Sequence, residues 1–359
     1  MATPAQHDVP GSGPTQERPP SPPVRRSPIQ NWLEILRTQN LSPGVEMDTV
    51  SKWLIIVRAS VFPMTLTSGV IGGLLVVAGP TPVDASWLFF AEALFGIMVA
   101  HAANNMINDY FDLQGGVDSG EYVRGQYALH PILNGLISKK GLIAAIAVAN
   151  LIDLAILVHL TAERGWPVVV FALLGLFISV FYVAPPLKLK HHGLGEPGVV
   201  AVWGPLMIGG TYFVTAGEVP AWVWAACLPY AVLVGAVLFG KHIDKLPADS
   251  AKGIRTLPVI LGDERARWTT QVLFASFFVL VGVLVLAGVY GVWCLLVFAA
   301  APKAWQISKV FTRPKPDAQP PDFPIWPLWF VAWAFVFTRL AGGLLAVGLV
   351  ANAIYPVFL

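Results

Sequence analysis

About nine stretches of this chain are each long and apolar enough to cross a bilayer, which limits the fold more than any other feature. They run approximately over Trp53–Ala78, Ala85–Asn105, Gly141–Leu160, Pro167–Ala184, Gly198–Thr215, Ala221–Phe239, Thr269–Val289, Val292–Ile307 and Pro327–Ala353. The eighth is short, and the last is too long for one straight span. Within it, Ile325–Phe337 reads as a segment lying along the interface, where Trp326, Trp329 and Trp333 suit the headgroup level. Lipid offers the backbone no hydrogen-bond partners, so every span must be helical. Only 12% of the residues are charged and 55% are hydrophobic. An ordinary soluble chain carries about a quarter charged residues. The expected fold is an all-α integral membrane protein with about nine transmembrane helices.

Lys and Arg placement sets the orientation. With the N-terminus in the cytoplasm, the loops after the second, fourth, sixth and eighth runs face the cytoplasm. They hold Arg124, Lys139 and Lys140; Lys188 and Lys190; Lys241, Lys245, Lys252, Arg255, Arg265 and Arg267; and Lys303, Lys309, Arg313 and Lys315. The opposite loops hold only Arg164. The localisation this implies is a multi-pass protein of the bacterial cytoplasmic membrane.

Residues 1–50 differ in composition, being rich in Pro, Ser, Gln and Gly. Such a stretch buries too little apolar surface to offset its ordering entropy, so a disordered cytoplasmic tail is expected, with a short helix over Ile29–Gln39. Residues 51–359 form the membrane domain. Cys227 and Cys294 lie in apolar runs without metal or disulfide spacing and read as packing residues.

Two polar clusters fall on the same face of the membrane. The first is Asn104-Asn105-Met106-Ile107-Asn108-Asp109-Tyr110-Phe111-Asp112, followed after Gly115-Gly116 by Asp118. Asn104, Asn108 and Asp112 repeat every four residues and share one helix face. Oxygen ligands without nitrogen or sulfur suit magnesium, which takes one or two carboxylates and completes its shell with substrate phosphates. The second cluster runs from Lys241 through Asp244 and Asp249 to Lys252 and Arg255, alternating acids with bases. Its carboxylates suit a second magnesium and its cations suit phosphate oxygens. Between the clusters, Tyr182-Val183-Ala184-Pro185-Pro186-Leu187-Lys188-Leu189-Lys190 leaves the fourth run. Lys188 and Lys190 read equally as headgroup anchors or as phosphate ligands. Tyr182 reads as an interfacial aromatic or as a ring facing a carbocation. Asp153, within the third run, is left outside the site.

At these residues the chain resembles the UbiA superfamily of intramembrane prenyltransferases, and most closely the branch that prenylates 1,4-dihydroxy-2-naphthoate in menaquinone biosynthesis. Asn108 through Asp118 is similar to that branch's first Asp-rich motif. Ala184-Pro185-Pro186-Leu187-Lys188-Leu189-Lys190 with Gly193-Leu194-Gly195-Glu196 is similar to its fourth-span exit. Gly253-Ile254-Arg255-Thr256-Leu257 resembles the close of its second motif. The chain departs where Lys241-His242 replaces a usual Asn pair, and Asp244 sits one place before the usual first Asp.

The resemblance implies a helical bundle around a central cavity opening to the cytoplasm. It implies Mg2+-dependent transfer of an isoprenyl group from a prenyl diphosphate to an aromatic acceptor, a naphthoate or another quinone precursor. Asn108, Asp112, Asp118, Asp244 and Asp249 are then the metal ligands. Lys188, Lys190, Lys252 and Arg255 bind diphosphate, and Tyr182 joins Asn108, Asp112, Asp118 and Asp249 in catalysis. Asp109 reads as orienting a basic neighbour. Two other readings stay open. A membrane terpene cyclase would quench the cation within the isoprenyl chain. A transporter would place polar residues deep in several spans. The implied partners are the donor, the acceptor and the bilayer. No nucleic acid is expected, and the sequence names no protein partner.

Overall fold

The protein is described here by a computed structural model covering residues 24–115, 128–321, 323 and 325–359. It is helical throughout, and the elements follow the apolar runs. Seven helices among the described residues are long and apolar enough to cross a membrane. They are α3 (Ala59–Ala78, opening as a 3-10 turn), α4 (Trp87–Gln114), α5 (Lys139–Arg164), α7 (Gly195–Ala216), α8 (Ala221–Asp244), α11 (Asp263–Leu286) and α13 (Trp329–Ile354). Two of the nine expected runs are absent from that set. Pro167–Phe181 forms a shorter apolar helix, α6. Val292–Ala300 is a 3-10 segment that continues as the helix Ala301–Phe311, α12. Short helices α1 (Pro28–Thr38), α2 (Thr49–Ile56), α9 (Leu246–Ala251) and α10 (Leu257–Leu261) complete the chain.

Local chemistry explains several boundaries. Ser138 caps α5 by accepting from the Gly141 amide at 3.0 Å, and Gly165 ends that helix at a positive φ. Pro167 starts α6 at a position where a missing N–H costs nothing. Arg164, the one cation expected on the opposite side, donates to the carbonyls of Val214 and Thr215 at the end of α7.

Helix α8 lies at the centre: 78% of its apolar window is buried, against 11% for α5 at the periphery. A helix apolar on all faces suits the first position, and one facing lipid suits the second. Helix α8 packs against α11 and α13. Phe274, Phe311 and Phe337 meet edge to face beside it, with centroids 4.9 and 5.5 Å apart. Gly348 of α13 lies so close to the Trp293 carbonyl that an added Cβ would sit 2.7 Å from that oxygen. Small residues at such crossings allow backbones to approach in lipid. Cys227 and Cys294 are buried and free, as packing residues.

Three sequence expectations change. Residues 24–50 contain the expected short helix, here Pro28–Thr38, and fold around it more fully than a loose tail would. Helix α1 packs Ile35 against Leu41 and Ile55, and Asp48 caps α2 while accepting from Trp32 and Asn31. Burial opposes the Asp48 charge, yet hydrogen bonds from Ser51, Trp32 and Asn31 hold its carboxyl well below the usual range. Residues 1–23 lie outside the described residues. The first apolar run is broken near Arg58, which takes a left-handed φ of 54° between α2 and α3. The last run is one helix from Trp329 onward, not an interfacial segment through Phe337. Its 26 residues span about 39 Å at the usual helical rise, enough to cross with tilt.

Candidate active site

The last turns of α4 place polar residues on two faces. Asn105 and Asp109 turn toward the break between α2 and α3. The Asn105 side chain donates to the freed Val57 carbonyl at 2.9 Å, and Arg58 pairs with the fully buried Asp109 carboxylate. These two contacts hold Arg58 in a backbone region that non-glycine residues seldom adopt. The reading of Asp109 as the partner of a basic neighbour matches this pair. On the other face stand Asn104, Asn108 and Asp112. Asn104 accepts from the Ser179 hydroxyl of α6 at 2.8 Å.

The segment leaving α6 closes on itself where the Lys190 amide donates to the Tyr182 carbonyl at 3.0 Å. This turn delivers the Lys190 ammonium to Asp112, 3.1 and 3.2 Å from its two oxygens. Both side chains are largely buried, at 5% and 13% exposure. In so dry a place each charge depends on the other.

The third segment begins at the end of α8. The Asp244 side chain accepts from the backbone amides of Phe330 at 3.0 Å and Val331 at 2.9 Å, the first turn of α13. Its carboxylate therefore caps a helix N-terminus, with the Lys315 ammonium 3.9 Å away. Asp244, expected among the metal ligands, here has both oxygens engaged by helix amides. Asp249, on α9, is fully buried. A backbone bridge between His192 and Arg255 joins the α6 exit to the loop after α9. The two acidic clusters and the segment between them thus meet at one end of the bundle.

That end opens into a cavity of about 600 Å³. Asn108, Arg58, Tyr182 and Lys241 line its mouth, and Ala93 and Leu160 lie deep inside. Ala93 and Asn108 are fifteen residues apart on α4, so the cavity runs about 22 Å along that helix. Most of its wall is aliphatic and aromatic. The cations acting on Asp112 are Lys190, Lys245 and Arg58, and Lys241 stands among them. Of the four expected diphosphate ligands, Lys190 is the one whose pairing with Asp112 is seen among the described residues. Lys252 and Arg255 are exposed and Lys188 is half-buried.

Among the described residues no three His, Cys, Asp or Glu side chains gather closely enough to hold a metal unaided. Asp118 lies outside the described residues. The donor set still suits magnesium. The Asn108 Oδ1 is buried without a hydrogen-bond partner among the described residues, and it lies beside the Asp112 carboxylate one turn on. Such a set completes its shell with phosphate oxygens.

Residues 65–328 match the model of the UbiA prenyltransferase family. The chain belongs to that family. It is 27% identical over 258 residues to the 1,4-dihydroxy-2-naphthoate octaprenyltransferase of Bacillus subtilis (strain 168), covering 70% of this chain and 80% of that one. The enzyme of the same description from Mycobacterium tuberculosis (strain ATCC 25618 / H37Rv) is 32% identical over 231 residues, covering 61% of this chain and 75% of that one. The solved UbiA homolog from Archaeoglobus fulgidus bound to GPP and Mg2+ superposes with a TM-score of 0.55 at 16% identity. The match covers 82% of this chain and 99% of that one, and shows a shared fold.

As a UbiA family member, the chain carries site features that motif reading passed over. Arg58 is the one charged residue in the run Trp53–Ala78, and a charge inside a span is a functional signal by itself. Lys241 and Lys245 stand in the second cluster, whose cations suit phosphate oxygens, though neither is among the four expected diphosphate ligands. The pairing of Glu196 with His242 spans 46 residues and left no local trace.

Proposed function

We propose that this protein transfers an isoprenyl group from a prenyl diphosphate to a hydroxynaphthoate or related quinone precursor, with Mg2+, inside the bacterial cytoplasmic membrane. The observation that carries this reading is a long, mostly apolar cavity lined toward one end by Arg58, Asn108, Tyr182 and Lys241, next to the buried Asp112–Lys190 pair one helical turn beyond Asn108. The descriptions of the relatives as naphthoate prenyltransferases support the choice of acceptor. We infer nine spans, counting α6 and the Val292–Phe311 segment. The N-terminus and cavity mouth face the cytoplasm, in line with the Lys and Arg distribution.

Asn108, Asp112 and Asp249, with Asp118, would hold the magnesium, which supplies charge stabilisation to the departing diphosphate. Arg58, Lys190, Lys241 and Lys245 add fixed positive charge around the same oxygens, strongest where water is excluded. Lys190 is shared: as phosphate oxygens arrive, its ammonium pairs with them as well as with Asp112. The apolar wall takes the isoprenyl tail and keeps water from the allylic carbon. The Tyr182 ring at the mouth offers its π face to positive charge developing there. Holding donor and acceptor side by side converts a bimolecular step into a local one.

The test is a donor-by-acceptor screen with the full chain in lipid nanodiscs, Mg2+ and mass-spectrometric product identification. A prenylated hydroxynaphthoate with one diphosphate released per product supports the reading. A cyclised hydrocarbon formed without acceptor supports the cyclase instead, and no diphosphate release with any donor overturns both.

A further inference from the structure

Behind Tyr182 lies a buried polar chain that the diphosphate site does not use. The His242 Nδ1 is 2.6 Å from Glu196 Oε1, and the His242 Nε2 is 3.5 Å from the Tyr182 hydroxyl. Glu196 and His242 are 2% and 1% exposed, and Tyr182 is buried. A carboxylate only accepts, so Nδ1 carries the proton and donates to Glu196. The Nε2 then faces the Tyr182 hydroxyl. The other Glu196 oxygen accepts from the Leu257 amide at 3.4 Å, which fixes the carboxylate. Gly195 leaves room for the phenol: a Cβ there would meet the ring at 3.0 Å and the hydroxyl at 3.5 Å. Tyr182 alone of the three lines the cavity.

A group oriented by a base, with the base oriented by an acid, is the arrangement of a proton acceptor. The 3.5 Å contact is at the outer limit of hydrogen bonding, and such contacts tighten when substrate is bound. Packing alone explains the set poorly, since a buried acid–imidazole pair costs desolvation that an apolar pair avoids.

Resting on the prenyl-transfer reading above, we propose that Glu196, His242 and Tyr182 form a relay that takes the proton of a hydroxyaromatic acceptor as it captures the isoprenyl cation. The allylic C–O bond breaks and its electron pair leaves with diphosphate. The ring carbon beside the acceptor hydroxyl forms the new C–C bond as the hydroxyl proton passes to the Tyr182 oxygen, giving the keto tautomer, and the hydrogen on the alkylated carbon then leaves as a proton while the oxygen regains one, restoring the aromatic ring. The proton of Tyr182 moves to His242 Nε2, giving an imidazolium paired with the Glu196 carboxylate. It returns through Tyr182 to water as product leaves. The acceptor class is therefore one with an acidic hydroxyl next to the alkylated carbon.

The discriminating quantity is the ratio of aromatic product to diphosphate released, measured with the full chain in nanodiscs, Mg2+, geranylgeranyl diphosphate and a dihydroxynaphthoate. His242→Asn keeps a donor toward Glu196 but accepts no proton. Its ratio should fall about 100-fold, the missing isoprenyl appearing as alcohol. Glu196→Gln, nearly isosteric, should lower the ratio about 10-fold and shrink the solvent deuterium effect on product formation. An unchanged ratio in His242→Asn, or equal loss of both readouts in both variants, overturns the relay. A wild type that makes no aromatic product overturns the acceptor reading first, and the relay with it.

Discussion

Replacing Asp244 separates a structural carboxylate from a metal ligand that sequence alone made it resemble. Its side chain accepts two amides of the first turn of α13, at 3.0 and 2.9 Å, in a fully buried setting. A buried amide that loses its acceptor costs about 1–3 kcal/mol, so losing both costs roughly 2–6 kcal/mol. Lys315, 3.9 Å away and a quarter exposed, adds less than about 1 kcal/mol. Asp244→Ala should therefore destabilise the fold by about 4 kcal/mol. Asp244→Asn, which keeps one acceptor but turns an NH2 toward the other amide, should cost about 2 kcal/mol. Denaturation in detergent micelles measures both. In protein that remains folded, the Mg2+ concentration for half-maximal diphosphate release should move by less than about twofold, because Asp244 lies outside the ligand set. An Asp244→Ala protein that melts like wild type but needs tenfold more Mg2+ would refute the capping argument and restore Asp244 as a ligand.

Arg58→Met should cost about 3 kcal/mol by removing the guanidinium from the fully buried Asp109 carboxylate. The double change Arg58→Met with Asp109→Leu should recover most of that stability without recovering prenyl diphosphate affinity; thermal melts and donor KM values report the two effects separately. Asp153 presents a buried oxygen without a hydrogen-bond partner among the described residues to the cavity wall. Asp153→Leu should raise stability by about 1–2 kcal/mol, and a lower melting temperature in that variant would show that the carboxyl has a partner in the membrane.

The bundle was legible because apolar run length and helical backbone satisfaction are local properties, and eight of the nine runs reappear as helical segments, though polar ends such as Met106–Gln114 of α4 and Asp263–Trp268 of α11 extend the helices beyond the apolar runs. The exception in kind was the first run, which breaks at Arg58. No residue near Arg58 signals a break, since the driving contacts come from Asn105 and Asp109 in another helix. The four-residue spacing of Asn104, Asn108 and Asp112 was readable for the same reason that helices are. The second cluster was not, because Asp244 and Asp249 are separated by only five residues yet serve unlike ends: one caps α13, 86 positions away, and the other is buried on α9. In residues 24–50 the short helix was legible, whereas composition did not show how a few apolar anchors such as Ile35 and a well-satisfied Asp48 fix the rest of the segment.

The most direct measurement of the account is a crystal structure of the full chain grown with Mn2+, an anomalous scatterer in place of Mg2+, and a thio-diphosphate analogue of the donor. Anomalous density within coordination distance of Asp112 and Asp249, with the pyrophosphate against Lys190 and Arg58, is the expected result. Metal bound at only one of those carboxylates, or a donor headgroup seated away from both, would contradict the shared site.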